Sequence, residues 1–241
     1  MKKLKIILLT SLFLWGCTNL NNIVEQIAEN NMLESEYIGF AGSKSDEYKR
    51  FKKLSKIASN SELEELSTHT HPIVRTYALQ ILLKRKLIES DEAFQMALKN
   101  NESFGTMSAD LMGSSDVCTE VYYSVLNKYP RFDEDKMEHI IIQNNEVNKL
   151  DSLVLYEIND DHFLHYMALN DKKHTNKFNN RIIELALKQR VPSAVNYIEK
   201  NGIIVDTTEM INSIEFIIEN KFIGSNPKEK MEKLLKKLKS N

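Results

Sequence analysis

The chain has 241 residues, 42% of them hydrophobic and 27% charged, with a formal net charge of −2 at pH 7. That balance argues against a nucleic-acid-binding protein, because a domain that grips phosphates needs a basic face to displace their counterions. The only long basic stretch runs from Lys228 to Lys239 at the C-terminal end. With only 7 glycines and 4 prolines, the chain has too few turn residues for an all-β protein of this size, so composition predicts an all-α fold.

The first residues follow the order of a signal peptide. Lys2, Lys3 and Lys5 precede an apolar run from Ile6 to Trp15, broken only by Thr10 and Ser11, and Gly16 stands before Cys17. A span across the hydrocarbon core needs about 20 apolar residues, and this run gives way to Asn19, Asn21 and Asn22 well short of that. Leu14-Trp15-Gly16-Cys17 resembles the bacterial lipobox, with Leu14, Gly16 and Cys17 carrying the likeness and Trp15 departing from it. The resemblance implies cleavage before Cys17, diacylation of its thiol and further acylation of its new amino group. Two or three acyl chains anchor a protein stably where one does so only marginally. By the same resemblance, Thr18 after the anchor, where Asp would retain the protein at the inner membrane, implies the outer membrane of a diderm bacterium. Loss of residues 1–16 removes three lysines and makes the mature chain more acidic. Lipid on Cys17 leaves Cys118 as the one thiol, which excludes an intramolecular disulfide.

Residues 17–45 read as a lipidated cysteine and tether containing one helix, with Ile23, Val24, Ile27 and Ala28 on a stripe before Ala41-Gly42-Ser43. From Asp46 to the C-terminus the pattern predicts a single helical domain, 46–241. Tyr48, Phe51, Leu54, Ile57 and Ala58 share one face of its first helix, and Ser61 with Glu64 has the form of a capping box for the next. Pro72 suits a first helical turn. Behind it Ile73, Val74, Tyr77, Ala78, Ile81 and Leu82, flanked by Leu79 and Leu83, predict a helix buried on more than one side. Further helices are predicted at 91–99, 117–128, 134–143, 150–158, 162–169, 176–190 and 192–200, the last closed by Asn201-Gly202. Asp206 with Glu209, and Asn226-Pro227 with Glu229, mark two more starts. Met231, Leu234, Leu235 and Leu238 form the stripe of a terminal capping helix.

The stretch His71-Pro72-Ile73-Val74-Arg75-Thr76-Tyr77-Ala78-Leu79, behind a short helix and a polar turn, resembles the HEAT repeat, in which proline opens the second helix of a pair and Val-Arg follows. The likeness covers residues 55–86, and Asn180–Ala186 with Pro192–Val195 resembles a second, degenerate unit. It implies an α-α superhelix whose stacked helix pairs present a concave, protein-binding surface. The whole also resembles uncharacterised HEAT-like lipoproteins of Bacteroidetes-type bacteria.

Candidate chemistry is sparse. His69 and His71 could ligate a metal, but they read better as turn residues before a helix. Asp160, Asp161, His162 and His165 form the other local cluster, without the remaining ligands a zinc site requires. His162 and His165 share a predicted helix whose apolar stripe is Phe163, Tyr166 and Met167. Cys118, behind Ser115-Asp116, sits where a helix N-terminus could lower a thiol pKa, although buried cysteines that merely pack are commoner. The chain contains no G-x-S-x-G elbow, Walker loop, H-E-x-x-H helix or G-x-G-x-x-G turn. The expectation is a lipid-anchored, non-enzymatic scaffold for an envelope protein or peptide, without cofactor, metal or nucleic acid and held to the membrane through Cys17. The alternative is a metal-dependent envelope hydrolase using Asp161, His162 and His165.

Overall fold

The computed structural model describes residues 20–129, 132–133, 138–139, 144–159, 162–170, 172–220 and 225–240. The leader, Cys17, Asp160 and Asp161 lie outside them. The described residues are predominantly helical and fall into two compact units divided between Lys128 and Tyr129, where the sequence reading drew one domain over 46–241.

In the first unit, helix α1 covers residues 20–30 and buries Leu20, Ile23, Val24 and Ile27; of the predicted stripe Ala28 is only half-buried, and Leu20 is added. The segment read as a tether is therefore packed structure from Leu20 onward. Asn31 leaves α1 in the left-handed region at φ 44°, which an asparagine tolerates, and the chain enters strand β1, Met32–Ile38. A short turn leads into β2, Ser43–Lys44, and then into α2, Asp46–Ile57. Next come α3, Asn60–Leu66; α4, Pro72–Lys84; α5, Ser90–Lys99; strands β3, Ser103–Ala109, and β4, Leu111–Asp116; and α6, Val117–Leu126. The capping box predicted at Ser61 and Glu64 lies two residues earlier. The Ser59 hydroxyl accepts from the Glu62 N–H, and the Glu62 carboxylate accepts from the Ser59 N–H at 2.7 Å.

The expectation of an all-α chain needs correction. Four strands form a mixed sheet in the order β2-β1-β3-β4, with β1 parallel to β3 and the other two pairs antiparallel. Ser103–Ala109 and Leu111–Asp116 are rich in Ser, Gly and Thr, poor helix formers that carry little periodic apolar signal, so the sequence reading passed over them. The hairpin they form is completed by β1, which pairs with β3 from some seventy residues away in the sequence.

Helix α4 is the centre of this unit. Every residue from Pro72 to Leu83 except Gln80 is buried, and α3, α5 and α6 pack around it. Pro72 opens the helix as predicted. Within this apolar rod Arg75 is almost fully buried. Its guanidinium donates to the carbonyls of His69 at 2.6 Å, Thr70 at 2.8 Å and Asn100 at 2.9 Å, and to the Glu102 carboxylate at 2.8 Å. One side chain thus ties the turn before α4 to the loop between α5 and β3. Only a planar fork of fixed donors reaches all four acceptors at once.

The second unit is helical apart from two short strands, β5 at Phe132–Asp133 and β6 at Glu138–His139, paired antiparallel. Of the helix predicted over 134–143 only residues 138–139 are described, and they are strand. Helices α7, Asn145–Glu157; α8, His162–Leu169; α9, Asn179–Leu187; α10, Pro192–Asn201; α11, Thr207–Asn220; and α12, Ser225–Lys239, follow, with a turn of 3-10 helix at Asn176–Phe178. Leu155, Ile182, Leu185, Val195, Ile198, Ile214, Ile217 and Met231 belong to their shared core. The predicted punctuation holds locally. Gly202 closes α10 at φ 63°, Asp206 accepts from the Glu209 N–H at 2.9 Å, and Met231 is buried, with Leu234, Leu235 and Leu238 packed beside it. Among the described residues no helix is long and apolar enough to cross a membrane.

Replacing Arg75 with Ala strips three carbonyls and one carboxylate of their donor at once. It is expected to lower stability by about 2–4 kcal/mol. Arg75→Lys, which cannot fork, should recover less than half of that loss, as read by urea unfolding followed by circular dichroism.

Candidate functional site

The residues singled out for metal or nucleophilic chemistry are built into the packing. His71 is the N-cap position of α4, and its N–H donates to His69 Nδ1 at 3.1 Å while the two rings stack at 5.6 Å. Burial, with His71 and Arg75 nearby, pushes the His69 pKa below the ordinary imidazole range. Cys118 is fully buried in the first turn of α6, where its N–H donates to Asn101 Oδ1 at 2.9 Å. The capping role belongs to Asp116, which accepts from the Thr119 N–H.

On α8 the expected stripe is rotated. Leu164, His165 and Ala168 are fully buried, whereas Phe163 and Tyr166 are about half exposed, at 46% and 50%; Met167 alone of the predicted stripe is buried. His165 therefore lies on the packed face of its helix. Of the Asp161, His162 and His165 trio, Asp161 and the side chain of His162 lie outside the described residues. Among the described residues no three His, Cys, Asp or Glu side chains lie together as metal ligands would. A buried ion pair, Lys172 to Asp151 at 2.7 Å, holds the segment after α8 against α7.

The surface feature that calls for explanation is at one end of the sheet. Because β1 and β3 run parallel, the turn after each falls at the same end, and the Gly39 N–H donates to the Ala109 carbonyl at 2.7 Å to join them. Ala109 is held at φ 51°, a conformation a Cβ disfavours, in a two-residue turn between the paired Ser108 and Leu111. Around these joined turns stand Phe40 at 99% exposure, Leu111 at 73%, Met112 at 72% and Tyr37 at 50%. A single exposed apolar residue needs no account, but four on two adjoining turns make a patch of the kind that marks an interaction site. The tip is also acidic. From Asn100 to Asn127 the chain carries Glu102, Asp110, Asp116 and Glu120 and no Lys, Arg or His. On the neighbouring strands Glu34 and Glu36 outnumber Lys44, whose ammonium lies 6.0 Å from the Tyr37 ring centre. Sequence reading missed this site. The available signals were Phe40 isolated between two glycines and Leu111-Met112 directly behind an aspartate.

A buried polar cluster roots the sheet in the helices. Glu47, two residues into α2, is fully buried. One of its oxygens accepts from Asn30 of α1 at 3.2 Å and from Arg50 at 3.1 Å, while the other, Oε1, lacks a hydrogen-bond partner. Beside it, Ser45 caps α2 by accepting from the Tyr48 N–H and donates to the Glu34 carboxylate of β1 at 2.7 Å. Tyr77 of α4 brings a buried hydroxyl to the same place, its pKa raised by burial and by Glu47 and Glu34. Burial pushes the Glu47 carboxyl up from 4.5 to about 7, against the opposing pull of Arg50 and Asn30, with Glu34 adding to the rise. Burial thus favours the protonated form of Glu47 at mildly acidic pH.

Comparisons with protein-family profiles, curated proteins and solved structures found no match for this chain.

The raised Glu47 pKa sets the sign of a pH dependence. Between its unfolded value and its folded value the native state binds a proton that the unfolded chain has lost. The stability due to Glu47 is therefore present in full below pH 4.5 and declines as pH rises to about 7. The decline is at most about 3 kcal/mol. Glu47→Gln should flatten that part of the pH–stability curve and raise Tm at pH 8 relative to the parent. An unchanged slope between pH 5 and 7 would show that Glu47 is not its source.

Proposed function

We propose that this chain is a lipid-anchored protein of the bacterial cell envelope, probing for no substrate of its own but binding another protein or peptide. The observation that carries the binding reading is the patch of Tyr37, Phe40, Leu111 and Met112 on the two joined turns. That much apolar side chain held in water has no packing role in its own unit. The first unit is a rigid mount for it, because α4 is buried on several sides and the sheet is tied to α1, α2 and α4 through Glu34, Ser45, Glu47 and Tyr77. A binding residue on a turn over such a base needs little ordering when the partner arrives.

The anchor rests on the sequence of the leader. Leu14, Gly16 and Cys17 supply the cleavage and acylation pattern, and α1 is already under way at Leu20, so lipid on Cys17 would hold the folded protein close to the bilayer. Placement in the outer membrane follows from Thr18 by the same resemblance. The HEAT-like reading of the fold belongs with these proposals. It is supported by the short turn joining α3 to the buried α4, by the anchoring role of Arg75 behind Pro72, and by the packing of α9 on α10 behind Pro192. The mixed sheet, built from β1 and β2 before α2 and the hairpin β3–β4 between α5 and α6, sets this chain apart from a plain stack of helix pairs.

Two measurements bear on this reading separately. Mass spectrometry of the mature N-terminus should find an acylated Cys17 as the first residue; a leader beginning at Met1 in protein released from cells would remove the anchor. Cross-linking in intact envelopes should join the protein reproducibly to a partner. The Phe40→Ser, Leu111→Ser double variant should cut that yield about tenfold with Tm nearly unchanged. Equal yields from parent and variant would remove the tip from the binding surface.

A further inference from the structure

Strand β4 is the outer strand of the sheet, and its residues from Leu111 to Ser114 are exposed. The hydrogen bonds on the other side of the hairpin settle which way its backbone points. The Gly105 N–H donates to the Asn31 carbonyl, and the Ala109 carbonyl accepts from Gly39, so Gly105, Met107 and Ala109 turn their backbone groups toward β1. By the alternation of a strand, Phe104, Thr106 and Ser108 face β4, and their partners Ser115, Gly113 and Leu111 face back to β3. Met112 and Ser114 are left directing N–H and C=O outward along an exposed edge. Natural sheets guard such an edge with lysine, proline or a covering element. Here the strand reads Leu-Met-Gly-Ser-Ser-Asp, with no basic residue or proline, and among the described residues no strand pairs with its outer side.

We infer that β4 takes up an extended peptide of a partner protein as an added strand, and that this peptide is a short apolar β-former flanked by Lys or Arg. The inference deepens the binding reading above and rests on it. The backbone groups of Met112 and Ser114 supply the pairing, and the Met112 side chain offers apolar contact to the residue opposite. Asp110 and Asp116 bracket the strand about 20 Å apart, so basic residues six positions apart on the peptide meet a carboxylate at each end, the one on Asp116 keeping its bonds to Thr119 and offering its remaining lone pairs. Charge also argues against the two other occupants of such an edge. An anionic bilayer would be repelled by a tip with no basic residue between Asn100 and Asn127. A second copy pairing antiparallel through Gly113 would set Asp110 against Asp116 of its mate.

Proline provides the test, because at an outward-facing edge position it deletes the outward N–H and leaves the ladder to β3 intact. The probe is a fluorescein-labelled peptide, Lys-Thr-Val-Thr-Val-Thr-Lys, titrated against the full mature chain in detergent and followed by anisotropy; paired antiparallel with its lysines opposite Asp110 and Asp116, it sets its two valines opposite Met112 and Ser114. Ser114→Pro should weaken binding about tenfold or more, with Ser114→Ala close to the parent. A peptide N-methylated at its two valines, whose N–H groups face β4, should fail against the unmodified protein, a readout that stands even where Ser114→Pro folds poorly, and replacing both lysines by glutamate should also abolish binding. Ser114→Pro folded and binding as well as the parent, equal binding of the N-methylated peptide, concentration-dependent dimerisation lost in Ser114→Pro, or binding to phosphatidylglycerol vesicles in place of the peptide would each overturn the inference. Should the envelope partner still depend on Phe40 and Leu111 but not on Ser114, strand addition falls while the binding reading stands.

Discussion

The parallel pairing of β1 with β3 is the constraint on which the first unit is built. Two parallel strands cannot be joined by a tight turn, so the chain must cross from one end of the sheet to the other between Ile38 and Ser103. It does so through the short return strand β2 and the helices α2 to α5. That crossover delivers α4 to the interior, and it leaves the turns following β1 and β3 side by side, bonded through Gly39 and Ala109. Antiparallel pairing of the same two strands would separate Phe40 from Leu111 and Met112 by the length of the sheet, and no patch would form.

Packing and polarity divide the work within this unit. Around α4 the stabilising term is apolar burial, which is strong but has no direction. Direction comes from a few buried polar groups whose geometry is demanding. Arg75 orients the approaches to α4 and β3 through four acceptors, and Glu47, with Asn30, Arg50, Ser45 and Tyr77, orients the root of the sheet. Glu47 is the costly member of that set, since its carboxyl is desolvated and one of its oxygens is orphaned. Its protonation at mildly acid pH relieves that cost.

Against this rigid base the exposed end of the sheet is a departure from the usual composition of a surface. Phe40, Leu111 and Met112 could be polar without disturbing any core contact, and β4 could carry the lysine that ordinarily discourages strand pairing. Both departures lie on the same few residues and agree in kind, since an apolar tip and an open backbone edge are complementary halves of a surface for an extended chain. The acidic hairpin sets the sign of the charge such a chain should carry.

Sequence alone determined what depends on neighbours a turn or two away. The helix starts at Pro72, Pro192 and Asp206, the stop at Gly202, most of the apolar stripes of α1 and α12 and the burial of α4 on more than one side were legible, because capping and helical periodicity are short-range properties. The lipobox resemblance, too, is carried by consecutive residues. Tertiary structure decided the rest. Strands β1, β3 and β4 have weak local signals, and the hairpin of β3 and β4 is fixed in the fold by the pairing of β3 with β1, far along the chain. The outward face of α8 is set by which side finds a core, placing His165 inside and Phe163 and Tyr166 outside. The apolar tip exists only because a parallel strand pair brings residues 40 and 111 to one place, a long-range pairing that no local periodicity encodes.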